Sequence, residues 1–196
     1  MIDDWQINPD IFRNIKISNR ERQVILGTLL GNSSIIHPKK SKNPHLLMRC
    51  NKGNSLVWLR CKAEELKKLS RPKSFIEDET GYRWNSFSNN LFFEFKSLFY
   101  ENGIKEIKME VLDSLNDLGL CTWFLDKGIY RENICGFKTI GLNKKSIKNI
   151  IDYFFAIGFP IGQNKTNDLL FKNKEISENF LKVIGHCIPL ALKKLG

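Results

Sequence analysis

The stretch ERQVILGTLLG, residues 21–31, is the part of the sequence that decides the fold. Its apolar residues recur at helical spacing, which predicts an amphipathic helix. Gly27 and Gly31 lie four residues apart, so both fall on one face of that helix. Each glycine costs a helix interior roughly 1 kcal/mol relative to alanine. The pattern therefore indicates either a helix that frays or ends here, or a face stripped of side chains so that a second backbone can approach closely.

Helix and strand patterns alternate downstream of this segment. A loop rich in proline and lysine, residues 36–44, leads into a predicted strand at 45–51. Residues 55–69 repeat apolar side chains at helical spacing, whereas residues 81–89 alternate in the manner of a strand. Residues 90–103 then form a predicted helix that begins at an asparagine and ends at a glycine.

The second part of the chain repeats this order. The predicted helices are 116–127, 143–157 and 174–185, and the predicted strands lie within 135–142, 159–163 and 167–172. The repeat has a period of about 95 residues. It predicts an α+β protein made of two similar units packed together. The expected division is an N-terminal extension at 1–20, a first unit at 21–115 and a second unit at 116–196.

The charge balance favours a polyanionic partner. The chain of 196 residues carries 31 Lys and Arg against 21 Asp and Glu, which gives a formal net charge of +10. Such a balance is typical of proteins that bind nucleic acid. The alternative is a basic protein without such a partner, because AT-rich coding also enriches lysine.

Neither export nor membrane insertion is indicated by the sequence. The N-terminus, MIDDWQINPD, carries acids where a signal peptide needs positive charge. No apolar stretch approaches the roughly 18 residues of a membrane span. The five cysteines are odd in number and form no CxxC pair, which fits a reducing compartment. We therefore expect a soluble, unexported protein with no membrane partner and no metal site, because His37, His45 and His186 also lack metal-ligand spacing.

Two segments carry a resemblance to a known family. RQVILGTLLG at 22–31 and LCTWFLDKG at 120–128 resemble the two motifs of single-chain LAGLIDADG homing endonucleases. The resemblance implies two pseudo-symmetric αββαββα units in a monomer with an internal pseudo-two-fold axis. It also implies a saddle-shaped antiparallel sheet in each unit, which lies in the major groove of DNA. The motif helices would pack side by side, with Gly27 and Gly31 matched by Thr122 and Asp126 in an asymmetric contact.

The positions of the family's catalytic acids are occupied here by Asn32 and Lys127. The resemblance implies one carboxylate at the bottom of each motif helix, and together these hold divalent metal ions. Asparagine offers only a neutral carbonyl oxygen, and a lysine ammonium repels a cation. An active enzyme would need a substitute ligand such as Asp126 or Glu132, but a helix step of about 100° turns Asp126 off the axis. We therefore expect no cleavage and no cofactor, with Mg²⁺ required only under a nuclease alternative.

Basic residues in or beside the predicted strands are the candidate contacts to nucleic acid. Lys127 is a further candidate because lysine binds phosphate without a metal, although a helix-end lysine equally suits the local dipole. Trp84 and Phe87 could stack on bases, but a half-buried sheet favours placing such aromatics in its core. The candidate set is Arg49, Lys52, Lys73, Arg83, Lys127, Lys138 and Lys165.

These observations favour a binding protein over an enzyme. The leading hypothesis is an RNA-binding maturase or ribonucleoprotein component, which contacts RNA rather than double-stranded DNA and meets other proteins of its complex. The alternatives are a DNA-binding regulator, an active or nicking homing endonuclease on double-stranded DNA, and a protein-interaction module. The AT-rich composition, with the family's frequent home in organellar genomes, favours an organelle-encoded mitochondrial protein over one of the bacterial cytoplasm.

Overall fold

A computed structural model describes residues 15–52 and 55–189, and its elements repeat in order. The predicted N-terminal extension at 1–20 lies mostly outside these residues. The first unit contains α1 (Asn19–Leu30), β1 (Ser33–Ile36), β2 (His45–Asn51), α2 (Ser55–Glu65), β3 (Ser70–Asp78), β4 (Gly81–Ser86) and α3 (Leu91–Phe99). The second contains α5 (Asp117–Lys127), β7 (Gly128–Arg131), β8 (Ile134–Phe137), α6 (Lys144–Ala156), β9 (Ile161–Gln163), β10 (Leu169–Phe171) and α7 (Lys174–Gly185). A small hairpin, β5 (Tyr100–Glu101) with β6 (Ile104–Lys105), and the short α4 (Met109–Asp113) connect the two.

Each unit builds one antiparallel sheet, and the two sheets have the same topology. The strand orders are β1-β2-β4-β3 and β7-β8-β10-β9, so corresponding strands occupy corresponding places. The order αββαββα therefore occurs twice, and the predicted α+β class is confirmed. The second sheet is smaller, because its strands have three or four residues whereas β2 and β3 have seven and nine.

Helices α1 and α5 make the most extensive contact between any two helices of the described chain. Local sequence fixes where both begin. Ser18 and Glu21 form a capping box at the start of α1, and the Asn116 side chain accepts from two backbone N–H groups at the start of α5. Side-chain caps of this kind satisfy N–H groups that have no partner within the helix. Both motif segments therefore begin as helices with a defined first residue.

Gly27 and Gly31 permit this contact between α1 and α5. A Cβ atom added to Gly27 would lie 2.6 Å from the Thr122 Cβ and would also collide with the Gly119 carbonyl oxygen. A Cβ atom on Gly31 would collide with the Asp126 side chain. Gly27 and Gly31 are therefore a close-packing face, filled by Thr122 and Asp126 of the partner helix.

The remaining core lies between each sheet and its helices. In the first unit Trp84, Phe92, Phe95 and Phe99 are fully buried. In the second, Trp123 packs on Phe137 with ring centroids 4.3 Å apart, at the edge of a larger aromatic cluster. Trp84 lies in the core, as its half-buried strand favours, and Phe87 packs against the same core. Neither aromatic is presented as a base-stacking platform on the surface.

The structure differs from the sequence prediction mainly at short elements. The helix predicted at 55–69 ends at Glu65, and a 3-10 turn follows at Lys67–Leu69. The helix predicted at 90–103 ends at Phe99, because Asn102 and Gly103 have positive φ and turn the chain into the β5–β6 hairpin. Strands β1, β3 and β7 and helix α4 have no counterpart in the prediction. Among the described helices, none is both long and apolar enough to cross a bilayer.

Candidate nucleic-acid interface

Asn32 and Lys127 lie side by side at the ends of the paired helices. Asn32 comes two residues after α1, and Lys127 is the last residue of α5. The Asn32 side chain donates from Nδ2 to the Asp126 carbonyl oxygen at 2.8 Å, and its backbone N–H donates to Asp126 Oδ2 at 3.4 Å. Asn32 is exposed and Lys127 is half-buried. The two positions therefore share one region at the end of the α1–α5 interface.

The Asp126 carboxylate points inward, toward the first unit. Its Oδ1 accepts from Lys62 Nζ at 2.6 Å and from Trp58 Nε1 at 2.7 Å, and its Oδ2 accepts from Thr28 Oγ1 at 2.9 Å. Only 3% of the Asp126 side chain and 2% of the Lys62 side chain are exposed. Lys62 Nζ also donates to Thr28 Oγ1 at 2.9 Å. The carboxylate is thus committed to a buried ion pair that joins the two units.

This donor set does not fit a divalent cation. Mg²⁺ needs carboxylate oxygens that face the ion in near-octahedral geometry. Both oxygens of Asp126 already accept from protein donors, and a metal bound there would lie beside the Lys62 ammonium. Across residues 15–52 and 55–189, no three His, Cys, Asp or Glu side chains cluster closely enough to hold a metal ion. The described side chains offer hydrogen bonds and positive charge here instead.

Lys105 adds a second ammonium group to this region. It lies on β6, and its Nζ donates to the Ser33 carbonyl oxygen at 3.1 Å, one residue after Asn32. Burial and the nearby charge of Lys127 lower the pKa of Lys105 to about 8. Asp126 opposes that shift, but its own charge is matched by Lys62. The ends of the two helices therefore carry an excess of positive charge.

The outer face of the first sheet carries a pair of arginines. Arg49 on β2 lies directly opposite Arg83 on β4, and the neighbouring Leu46, Met48 and Trp84 point into the core. Like charges directly opposite each other destabilise an antiparallel pair. Arg83 Nε is buried with no hydrogen-bond partner among the described residues, and Asp78 Oδ2 lies 3.9 Å away. This face therefore favours an anionic ligand.

The two arginines border a polar cavity that reaches the end of α1. Its volume is about 450 Å³. Asn51 and Ser55 contribute polar groups, and Asn32 also lines it. The sequence candidates Arg49 and Arg83 are thus brought together with Asn32 in one place.

The second sheet presents a different outer face. Ile129, Gly136, Leu170 and Gly162 form one row across its four strands, as the register of those strands shows. Lys138, directly after β8, and Asp168, directly before β10, lie beyond this row and together border a cavity of about 840 Å³. By topology these two residues correspond to Arg49 and Arg83. The second unit therefore has a balanced pair of charges where the first has two positive ones.

The other predicted contacts are more dispersed. Lys52 lies beyond the end of β2 and pairs with Glu77 at 3.5 Å. Lys73 has a positive φ of 56° in an irregular part of β3, and it borders a groove on the α2 side of the sheet with Arg60 and Trp84. Lys165 is exposed in the turn between β9 and β10. The structure does not bring these three residues to the cavity that holds Arg49 and Arg83.

Sequence reasoning missed the partners of Asp126 and also missed Lys105. One signal was present, because Lys62 lies between Leu59 and Leu66 on the apolar stripe of its predicted helix. A lysine on such a stripe needs a buried partner, and Trp58 precedes it by one helical turn. Lys105 carried no comparable signal, because it lies in a two-residue strand whose place is set by the hairpin turn.

Comparisons with known proteins agree with this architecture. A family model described as the LAGLIDADG DNA endonuclease family matches residues 22–179. A structure of the homing endonuclease I-WcaI bound to its DNA recognition sequence has a TM-score of 0.78 and 18% identity, covering 92% of this chain and 87% of that chain. No curated protein matches the chain.

Two further solved structures are similar at lower scores. A variant of I-DmoI in complex with its target DNA has a TM-score of 0.54 and 11% identity, covering 85% of this chain and 94% of that chain. Full-length DUF199/WhiA from Thermatoga maritima has a TM-score of 0.55 and 15% identity, covering 93% of this chain and 61% of that chain. At these identities the likeness shows a shared fold.

Proposed function

This chain belongs to the LAGLIDADG DNA endonuclease family, and from that premise we propose that it binds nucleic acid without cleaving it. One observation carries the proposal. The ends of α1 and α5 present Asn32 and Lys127, while the neighbouring Asp126 carboxylate is buried against Lys62, Trp58 and Thr28. A hydrolytic metal site would need free carboxylates at this place.

Electrostatics supports the absence of cleavage. A lysine ammonium about 4 Å from Mg²⁺ would repel it by roughly 8 kcal/mol at an effective dielectric constant near 20. Lys127 and Lys105 would both act in this direction, and Asp126 cannot compensate because its charge is already paired. An active or nicking endonuclease is therefore the weaker alternative, since it would require Asp126 to abandon three buried hydrogen bonds.

Charge on the outer face supports binding. The net charge of +10 and the opposed Arg49 and Arg83 provide the attraction that a polyanion needs. Two of the similar structures are bound to DNA, which supports a nucleic acid as the ligand of this chain. A protein-interaction module is the weaker alternative, because the opposed arginines and the net charge of +10 suit a polyanion better than a protein surface of mixed charge.

The finer proposal is an RNA ligand, as in a maturase or a ribonucleoprotein component that also meets other proteins. It rests on the loss of the catalytic acids, since a binder that no longer cuts is free to serve RNA. A regulator that binds double-stranded DNA is the alternative that the DNA complexes among similar structures favour. The same proposal places the protein in a mitochondrion as an organelle-encoded product, with the bacterial cytoplasm as the alternative.

The test is to purify the protein at low salt with its bound nucleic acid and to treat matched portions with RNase or DNase. Recovered RNA would support the ribonucleoprotein proposal, and recovered duplex DNA would favour the regulator. Binding should weaken steeply with salt, because phosphate contacts release counterions with a slope of roughly −0.9 per contact for duplex DNA. If the affinity for nucleic acid did not fall as the salt concentration rises, phosphate contacts would not account for the binding. That result would contradict the proposal and favour the protein-interaction alternative.

A further inference from the structure

The edge strand β3 carries a bulge beside α2. Residues 71–74 of β3 lie opposite the single residue Asn85 of β4. The buried Ser74 closes this bulge, because its Oγ accepts from the Arg71 backbone N–H at 2.7 Å and donates to the Arg71 carbonyl oxygen at 2.5 Å. Lys73 has a φ of 56° and turns the chain at the tip. Bulges of this kind re-aim side chains at the edge of a sheet, so the fold holds Arg71 and Lys73 in a defined loop.

A groove of about 520 Å³ separates this bulge from α2. Its lining includes residues of both elements, namely Arg60, Ala63, Arg71, Lys73 and Phe75. Phe75 lies directly opposite Trp84, whose side chain points into the core, so Phe75 projects from the helix side of the sheet. Arg49 and Arg83 lie one residue further along β2 and β4 and project from the other side. The groove is therefore separate from the cavity bordered by these two arginines.

Three cations of the groove have no anionic partner. Arg60, Arg71 and Lys73 are all exposed, and no acidic residue in the described part of the chain forms an ion pair with any of them. Glu64 also lines the groove, but it pairs with Lys67 at 2.9 Å. The groove therefore carries an excess of positive charge that the protein itself does not balance.

Phe75 places an aromatic ring among these cations. It is 43% exposed, whereas Trp84 beside it is fully buried. Proteins that bind single strands combine cations, which contact phosphates, with aromatic rings on which unpaired bases stack. A duplex keeps its bases stacked inside and would not use the ring, and an acidic peptide would use only the cations. The combination of ring and cations favours a single strand.

We propose that this groove is a second nucleic-acid site, which binds a single strand with a base stacked on Phe75 and backbone phosphates paired with Arg60, Arg71 and Lys73. The site goes beyond the proposed function, because it lies on the face of the first sheet opposite Arg49 and Arg83. One protein molecule can therefore hold a single strand in the groove while another nucleic acid occupies the outer face.

The experiment measures binding of a short labelled oligouridylate and of the matching oligothymidylate by fluorescence anisotropy. Each is titrated alone and with a saturating unlabelled random-sequence DNA duplex, and a labelled duplex is titrated separately. The variants are Phe75→Leu, Arg71→Gln and Lys73→Gln. Phe155→Leu and Lys182→Gln are matched controls, because they change an exposed phenylalanine and an exposed lysine of the second unit. Melting curves show whether each variant is folded.

Wild-type protein should bind the oligonucleotides equally well with and without the duplex. Phe75→Leu should weaken this binding roughly 5- to 100-fold and leave duplex binding unchanged, whereas Phe75→Trp keeps an aromatic ring and retains affinity. Arg71→Gln and Lys73→Gln should each reduce the salt slope by about 0.7, the value for one phosphate contact on a single strand. Both controls should match wild type, and the ratio of the two oligonucleotide affinities tells whether the strand is RNA or DNA.

Three results would overturn the groove and leave the proposed function intact. These are displacement of the oligonucleotide by the duplex, displacement by polyglutamate at equal charge concentration, and Phe75→Leu protein that binds like Phe155→Leu protein. If the oligonucleotides bound and the duplex did not, the groove would be upheld and the outer face would fail as an interface. If neither kind of probe bound, both the groove and the proposed function would be wrong.

Discussion

Asp126 joins the two units through a buried ion pair with Lys62, and its carboxylate also accepts from Trp58 and Thr28. Its partners all belong to the first unit, whereas Asp126 is the penultimate residue of α5 in the second. A buried pair of this kind contributes little net stability when formed, because both charges are removed from water. Removing one partner is costly, because the other charge is left buried without compensation.

Replacing Asp126 by alanine should therefore lower the free energy of unfolding by about 3–5 kcal/mol. Denaturant titration measures the change, and Asp113→Ala, at an exposed position of α4, is the matched control with little expected effect. The double variant Lys62→Met with Asp126→Leu should cost less than Asp126→Ala, since no charge remains unpaired. A loss below about 1 kcal/mol for Asp126→Ala would mean that the ion pair is not buried as described.

Lys105 makes the stability of the protein depend on pH in the alkaline range. Its pKa is about 8 in the folded protein against an ordinary value of 10.5. Between these values the unfolded chain holds one more proton than the folded protein, so stability rises with pH there. Denaturation of wild-type protein and Lys105→Met at several pH values should show their difference shifting in favour of wild type from about pH 8 upward. A constant difference would mean that the Lys105 ammonium is not desolvated.

At the scale of elements, the α1–α5 contact depends on the absence of side chains at Gly27 within α1 and at Gly31, the residue that caps its C-terminal end. In an isolated helix, alanine is the better residue by roughly 1 kcal/mol. Across this interface the order is reversed, because the Thr122 and Asp126 side chains occupy the space that a Cβ atom would need. Packing at the helix interface therefore outweighs helix propensity.

Gly31→Ala should lower the free energy of unfolding by about 1–3 kcal/mol through overpacking against Asp126. Gly185→Ala is the matched control, because nothing lies within 4 Å of a Cβ atom at that helical position. The control should be neutral or stabilising by about 0.4–1 kcal/mol. Thermal or denaturant unfolding of both variants decides the matter, and equal effects at the two glycines would refute the close approach of α1 to α5.

Arg49 on β2 and Arg83 on β4 are expected to favour binding of nucleic acid and to lower the stability of the free protein. Arg49→Gln removes one of two opposed positive charges, so the free protein should gain roughly 0.2–1 kcal/mol in unfolding free energy. The same change should weaken nucleic-acid binding and reduce its salt dependence by about one contact. Unfolding and anisotropy measurements on one preparation test both effects. A variant that loses stability, or that binds as well as wild type, would argue against this arginine pair as a ligand site.

At the scale of the whole molecule, sequence reasoning predicted the elements with strong local signals. The strand at His45–Asn51 and the helix at Lys174–Gly185 have the predicted bounds, because apolar periodicity and polar caps define them. Strand β3 was missed because Pro72 and several charged residues interrupt any alternation, and the strand exists through pairing with β4. The short β7 was missed because it follows α5 directly, with no loop between the two elements.

The sequence predicted where in the chain the candidate site lies, but it did not predict which side chains contact each other there. The motif spacing located Asn32 and Lys127, which lie together at the helix ends. The pair of Lys62 with Asp126 spans 64 positions of sequence, and the pairing of Arg49 with Arg83 depends on strand register. Neither register nor a distant ion pair follows from local patterns. The sequence therefore located the site, and the tertiary structure defines its charge.

The central claim is that this protein binds nucleic acid and leaves it intact. The most direct measurement is to incubate the end-labelled nucleic acid that copurifies with the protein in Mg²⁺, and then to separate the strands on a denaturing gel. Full-length strands are expected at protein concentrations that saturate binding. A discrete Mg²⁺-dependent product made by wild-type protein and abolished by Asp126→Asn would show instead that the helix ends still hold a catalytic metal and that the protein cleaves its ligand.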